Sequence, residues 1–559
     1  MIPEAKLILF KKKAIKLGCK KEKIIEGPLA QKKIRINYIC KKRQTPNMTV
    51  VKQEPLFDLI RGMNKAEKRN FKLYANRHSA KGDAKFVILF DTIESLDHYD
   101  EAKILRRCNV KKEQLPNMKA HLYRQILVSI RLLSSQHSVH IQIREYIDFA
   151  KILYDKSLFR QSLRMLDKAK QLALTNECYS SALEVVEFEK KIEGLHMTRS
   201  AGDQAGKLSK QSNELMVKID NINKLSNLAI QLYFLNLKLG YIRSEKDSNL
   251  VTGYFKNKLN AFDPSELSFH ERLYYYQVRM WYSYIQHDFL RCYRYAQTWV
   301  SLFEENQSFK ATYYDHYIRA CSRLLDVLFM TRQYTPMVEL IAKVERELYS
   351  VIPSSDNATI MSGLCLLFAK INVHFMDATF AEGVSLAADV DHFVERWKDY
   401  LDEHYRMMLF YKIACMYFGN GDYKKCKFYL QKIISVRDPQ FRRDLQCFAR
   451  ILHLIASYDS GDDYSLEYQM RSVYSFIVKM NDMHAVQQEI MAFLRRLPRT
   501  YASNFREELV MLREKLLPYE NHPYERRPFF YLDIISWLDS KIDNVPIAEV
   551  IKKRFAISR

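Results

Sequence analysis

The apolar residues between positions 140 and 480 recur at the spacing of amphipathic helices, and short polar turns divide these helices into pairs. The clearest pair lies in residues 406–439. Its first helix places apolar side chains at i, i+3, i+4 and i+7 from Phe410, which puts them on one stripe. A polar turn begins at Gly419, and Pro439 ends the second helix. The pattern predicts an all-α array of helical hairpins.

This hairpin pattern resembles the tetratricopeptide repeat, in which small residues let two helices approach closely and an aromatic residue marks the turn. In the clearest pair these positions hold Ala414, Cys426 and Tyr423. Weaker copies are interrupted by Arg279 and Lys370, where an apolar residue is expected. The resemblance implies a right-handed α-solenoid of helix pairs, with turn aromatics at Phe159, Phe289, Tyr334, Phe380, Tyr423 and Tyr464.

The turn aromatics from Phe289 to Tyr464 are separated by 45, 46, 43 and 41 residues. Each unit is therefore longer than the family's repeat of about 34 residues. Phe159 precedes Phe289 by 130 residues, which is three steps of similar length. The two missing turns fall near 201–203 and 244–247, where the sequence is polar. Stacked hairpins bury a continuous core, which accounts for the 36 Tyr and 31 Phe residues.

Segments of different character flank the array, which is predicted to span residues 140–480. Residues 54–136 are predicted to form an N-terminal helical module, in which Asn64–Glu67 is a capping-box start. This opening resembles the start of uncharacterised bacterial tetratricopeptide-like proteins. Residues 497–559 contain three predicted helices, which we expect to cap the last apolar face of the solenoid.

The formal charge of +23 is concentrated at the front of the chain, because residues 1–47 contain 14 basic and three acidic side chains. We interpret this arm as a disordered tail or as an extension upstream of a start at Met48; an anion-binding arm is the alternative. A second basic stretch, residues 65–86, is the candidate for an anion or nucleic-acid contact. Its contact residues would be Lys65, Lys68, Arg69, Lys72 and Arg77.

The sequence carries no recognisable catalytic or metal motif. Residues 202–208 are one residue short of a phosphate loop and lack its Ser or Thr, and no zinc-protease motif or nucleophile elbow is present. The 10 cysteines contain no CxxC pair, which favours reduced and buried thiols. We therefore predict a protein that is not an enzyme and needs no cofactor. Neither a secretion signal nor a sufficiently long apolar run is found, so we predict no membrane insertion and a cytoplasmic location.

The resemblance also implies a ligand groove lined by first-helix residues that lie between the core positions. Carried over position by position, these residues are Tyr274, Gln277, Trp281, Tyr284, Arg319, Ser322, Asp326, Tyr411, Cys415 and Phe418. An aromatic and weakly charged groove favours a peptide with apolar anchors over a nucleic-acid strand. Alanine at Trp281 or Tyr411 is then expected to weaken partner binding without lowering the melting temperature.

Three functions remain open at this point. The leading interpretation is a non-catalytic scaffold that binds a protein or peptide partner along the concave face of the array. The alternative is a nucleic-acid-associated or transcription-regulatory protein that uses the basic 65–86 helix. A third is a hydrolase assembled across the superhelix from dispersed His and Cys side chains. A repeat fold by itself does not choose among them.

Overall fold

The computed structural model describes residues 54–78, 84–134, 138–196, 204–239, 245–350, 356–436, 442–461, 466–480, 485–496, 505–520, 522 and 533–557. Within these ranges the regular elements are helices, and consecutive helices pack against each other in adjacent pairs. The predicted basic arm 1–47, the turn aromatic Tyr464 and the polar stretch 201–203 lie outside the described residues.

Five helices form the N-terminal part: α1 (Pro55–Gly62), α2 (Lys65–His78), α3 (Ala84–Glu94), α4 (Glu101–Cys108) and α5 (Leu115–Ser134). The predicted capping box is confirmed, because Asn64 N donates to Glu67 Oε2 at 2.8 Å and Glu67 N donates to Asn64 Oδ1 at 2.9 Å. The helices enclose a core of their own, in which the rings of Phe71 and Phe90 lie 4.7 Å apart.

The next helices are α6 (Val139–Asp155), α7 (Phe159–Thr175), α8 (Tyr179–His196), α9 (Gln204–Leu239), α10 (Glu245–Leu259), α11 (Phe269–Ile285), α12 (Phe289–Glu304), α13 (Gln307–Thr312), α14 (Tyr314–Met330) and α15 (Tyr334–Ser350). The hairpins predicted at 146–169 and 321–344 are confirmed as α6–α7 and α14–α15. Where the repeat pattern is weak, the chain instead forms the 36-residue helix α9, which packs on α8 and α11.

The chain continues through α16 (Asp356–Asp377), α17 (Phe380–Gly383), α18 (Leu386–Arg396), α19 (Glu403–Gly419), α20 (Tyr423–Ile434), α21 (Arg443–Asp459), α22 (Leu466–Met480), α23 (Ala485–Arg496), α24 (Phe505–Glu520), α25 (Ile534–Asp543) and α26 (Ile547–Ile557). The clearest predicted hairpin is α19–α20, and its small residues Ala414 and Cys426 are fully buried. The last helix, α26, packs against α16 as well as α25, so the end of the chain returns to the middle of the array.

Helix α16 is the helix of the described residues that is long and apolar enough to cross a membrane by length and composition. Its most apolar window has a mean hydropathy of 1.4, and 44% of that window is buried inside the structure. Lys370 on this helix lies 2.6 Å from Glu345 of α15, which explains how the array accepts a cation at a position predicted to be apolar.

The predicted turn aromatics share one local geometry. Phe159, Phe289, Tyr334, Phe380 and Tyr423 are each the first residue of a helix that follows a tight turn. Two positions before each aromatic, the backbone is left-handed, with φ of 60°, 60°, 55°, 50° and 79° at Ser157, His287, Arg332, Ala378 and Gly421. Gly421 alone in this set adopts that conformation without the steric cost of a Cβ atom. The repeated turn geometry is a physical basis for the periodicity of the aromatics.

Candidate functional site

A cavity of about 1120 Å³ lies among the first helices of successive hairpins, α11, α14, α16 and α19, together with α9. Ile547, Ile551 and Arg554 of the returning helix α26 also line it. The structure brings together at this cavity all ten groove residues named from the sequence, namely Tyr274, Gln277, Trp281, Tyr284, Arg319, Ser322, Asp326, Tyr411, Cys415 and Phe418. These residues belong to the three helices α11, α14 and α19, which the tertiary fold places around one cavity.

The ten residues differ in accessibility. Gln277, Trp281, Tyr411 and Phe418 expose only 8%, 5%, 3% and 6% of their surface, whereas Arg319 is exposed and the others are half-buried. Trp281 and Tyr411 belong to hydrophobic cores. Their burial contradicts the expectation that alanine at these positions spares the melting temperature, because a large-to-small change in a packed core costs about 3–5 kcal/mol. Both residues act mainly as packing.

An aromatic wall forms one side of the cavity. The Trp281 ring lies edge-on to Tyr233 at 5.5 Å and to Tyr284 at 5.6 Å. Beyond this wall, Ile230 and Phe234 of α9 line the cavity while exposing 53% and 59% of their surface. Neither residue is among those selected from the sequence, because both lie in the region of weak repeat pattern. Their spacing of four residues, with Tyr233 between them, is the helical signal that points to them.

The cavity is strongly charged, although the sequence predicted an aromatic and weakly charged groove. Six Arg or Lys residues and four Asp or Glu residues line it. On α14, Arg323 Nη1 lies 3.1 Å from Asp326 Oδ2, and the guanidinium stands 5.7 Å from the centre of the Trp281 ring. The expectation of a weakly charged groove is therefore wrong, because the residues carried over from the repeat pattern omitted the cations beside them.

Lys412 on α19 is a cation of this cavity that lacks an ion pair among the described residues. Its Nζ donates to Asn372 Oδ1 at 2.6 Å and lies 5.3 Å and 5.6 Å from the ring centres of Phe329 and Phe375. Within the described part of the chain, no carboxylate lies within 4 Å of it. Burial lowers the pKa of the Lys412 ammonium, and nearby Asp326 opposes this effect.

Arg442 and His404 form a second charged group at the cavity. Arg442 makes a bidentate pair with Asp444, with both N–O distances at 2.9 Å, and its Nη1 lies 2.7 Å from His404 Nδ1. Because arginine can only donate, His404 accepts through Nδ1 and is neutral. Burial first, and then the charge of Arg442, lowers the pKa of His404 to about 4.

A Cys–His contact exists elsewhere, between Cys178 Sγ and His140 Nδ1 at 3.6 Å. The Tyr313 hydroxyl also lies 3.6 Å from this sulfur. Burial raises the pKa of the Cys178 thiol, whereas a nucleophilic cysteine needs a lowered one. Neither Cys178 nor His140 lines the large cavity. This geometry gives no support to the hydrolase interpretation.

The basic helix α2 presents fewer free cations than its sequence suggests. Lys68 lies 3.4 Å from Glu94, and Lys72 lies 2.9 Å from Asp91 and 3.1 Å from Glu94, both acidic residues of α3. The other three candidate contacts, Lys65, Arg69 and Arg77, are exposed. Two of the five candidates are thus neutralised by the adjacent helix.

Among the described residues, no group of three or more His, Cys, Asp or Glu side chains is arranged to hold a metal ion. Eight described cysteines are free thiols, and six of these are buried. In comparisons with known proteins, the sequence matches no protein-family model and no curated protein. Interpretation of the site therefore depends on its own geometry.

Proposed function

We propose that this protein is a non-catalytic scaffold that binds a peptide segment of a partner protein in the cavity between the first helices of its hairpins. In this proposal the hairpins form a right-handed tetratricopeptide-like solenoid, and the cavity belongs to its concave face. The main support for this proposal is that ten groove residues, selected from sequence pattern alone, all line one cavity of about 1120 Å³.

The chemistry of the cavity supports a peptide rather than a small polar metabolite. Aromatic rings and exposed apolar side chains provide anchoring surface, and the ten charged residues of the cavity lie among them.

The test uses exposed lining residues, because buried ones would confound binding with folding. Phe234→Ala is made in the full chain, with Leu290→Ala as the matched control, since Leu290 exposes 62% of its surface and does not line the cavity. Tagged proteins are expressed in the source cell, and copurifying molecules are identified by mass spectrometry at low and high salt, with and without nuclease.

We expect a protein that copurifies stoichiometrically with the wild type and with Leu290→Ala, and that is lost with Phe234→Ala at unchanged melting temperature. Equal recovery with both variants would remove the cavity from the binding surface. Recovery of nucleic acid that high salt removes would favour the regulatory alternative, and Lys65, Arg69 and Arg77 would then be the residues to change.

A further inference from the structure

The cavity contains cations that the protein itself does not neutralise. Three of its basic residues have carboxylate partners: Arg323 with Asp326, Arg442 with Asp444, and Arg554 with Glu520. Arg319 and Lys412 have no carboxylate within 4 Å in the part of the chain that the structure describes. The sixth basic residue, Arg332, donates from Nη1 to the Arg554 carbonyl oxygen at 3.5 Å. Arg319 and Lys412 are therefore two positive charges at the cavity without an ion pair among the described residues.

These two cations differ in environment, but both line the same cavity. Arg319 lies on the exposed face of α14, one turn before Arg323 and two turns before Asp326. Lys412 is half-buried between Asn372 and the rings of Phe329 and Phe375, and Asp326 is among the groups that influence it. A lysine held in such a place without a carboxylate costs stability, which an external anion would recover.

We propose that the peptide recognised by this cavity carries two internal acidic side chains, one placed at Arg319 and the other at Lys412, with an apolar residue between them. This inference rests on the proposed function and specifies its ligand. Arg319 and the part of α14 near Lys412 are separated by about 10–15 Å along the helix. An extended peptide rises about 3.3 Å per residue, so the acidic side chains stand about three or four positions apart.

The intervening residue meets the aromatic wall. Tyr233, Trp281 and Tyr284 lie beside Arg323, which is midway between the two uncompensated charges. Arg323 is already paired with Asp326, so this part of the cavity offers ring surface more than free charge. The expected pattern is thus acidic, apolar, acidic, with the acidic side chains supplying orientation and the apolar side chain supplying burial.

A display library of random dodecapeptides, selected on the full chain, tests the inference. The peptides are displayed as fusions, so no terminal carboxylate is free. Binding of enriched peptides is then measured to the wild type, Arg319→Ala, Lys412→Met and Phe234→Ala. Arg160→Ala is the matched control, because Arg160 is exposed, has no ion pair among the described residues and does not line the cavity.

We expect enriched peptides with two acidic residues three or four positions apart, and a loss of about tenfold in affinity with Arg319→Ala and with Lys412→Met. Arg160→Ala should bind as the wild type does. Peptides that require Phe234 but are neutral or basic, or that ignore both cation variants, would overturn this inference and leave the proposed function standing. If no enriched peptide requires Phe234, the proposed function and the inference both fail.

Discussion

Two lysines in the array illustrate two ways of holding a buried positive charge. Lys310 is 3% exposed, and its Nζ lies 3.2 Å from Glu304 and 2.6 Å from Glu347. Lys412 is half-buried at the cavity and has only the amide oxygen of Asn372 as a polar partner at 2.6 Å. The first lysine is compensated by the fold. The second has no carboxylate partner among the described residues, and in our proposal the ligand supplies it.

The basic helix α2 provides a third case for this comparison. Lys72 pairs with Asp91 and Glu94 near the surface, where 42% of its side chain is exposed. Solvent screens such a pair, so it contributes little to stability, and the cation is partly neutralised for any anionic partner. The number of basic residues in a segment is therefore a poor guide to how well the segment binds anions. Its capacity depends on how many of those residues the fold already pairs with carboxylates.

The largest effect should follow from changing the structural lysine. Lys310→Met leaves Glu347 without its cation, whereas Glu304 keeps Lys343 at 2.8 Å, so we expect a loss of about 3–5 kcal/mol in the free energy of unfolding. Chemical denaturation of the full chain measures it. Adding Glu347→Gln to the same protein should recover part of the loss, because Glu304 still pairs with Lys343; no recovery would mean that the lysine acts by packing.

The next effect concerns pH at the cavity. His404 has a folded-state pKa of about 4, below the ordinary value near 6.5, so the unfolded chain binds the proton more readily. Stability conferred by the neutral ring is complete above pH 6.5 and is lost as the pH falls towards 4, with a loss of about 2 kcal/mol at pH 5.

Unfolding midpoints at pH 5 and pH 7.5 for the wild type and His404→Gln check this expectation. The variant should lose less stability between the two pH values, because its side chain does not titrate while other carboxylates and histidines still do. Identical pH dependence in both proteins would show that folding does not lower the pKa of His404.

A smaller effect is expected at the surface pair of α2. Lys72→Met should lower the free energy of unfolding by about 1 kcal/mol or less, because the pair is solvent-exposed. The same measurement at high salt should reduce the difference further. A loss as large as that of Lys310→Met would mean that an exposed ion pair stabilises this protein as much as a buried one, which would contradict the comparison.

The smallest effect on stability should come from the cavity lysine. Lys412→Met removes an ammonium that is half-buried without a carboxylate, so we expect unchanged stability or a gain of up to about 1 kcal/mol. Thermal unfolding of the unliganded protein measures it. A strong loss of stability would show that the bond to Asn372 is structural, and would place Lys412 beside Lys310 in the comparison.

Much of the architecture could be predicted from local sequence. The helical hairpins, the capping box at Asn64 and the aromatic residues that open second helices all depend on contacts within a few residues, and periodicity reports such contacts directly. The same reasoning selected residues of three helices that line one cavity. It did not predict helix α9, because a single helix of 36 residues that packs on α8 and α11 leaves no hairpin repeat in the sequence.

The sequence by itself determined that this chain forms paired helices and which face of each helix is apolar, since both follow from side-chain spacing along a helix of fixed pitch. Only the tertiary structure decided which charges are compensated. Nothing in the sequence distinguishes Lys72, Lys310 and Lys412 from one another. The carboxylate partners of Lys72 and Lys310 lie on other helices, whereas Lys412 has the amide oxygen of Asn372. Compensation depends on distances of a few ångströms between side chains on different helices, and folding alone sets those distances.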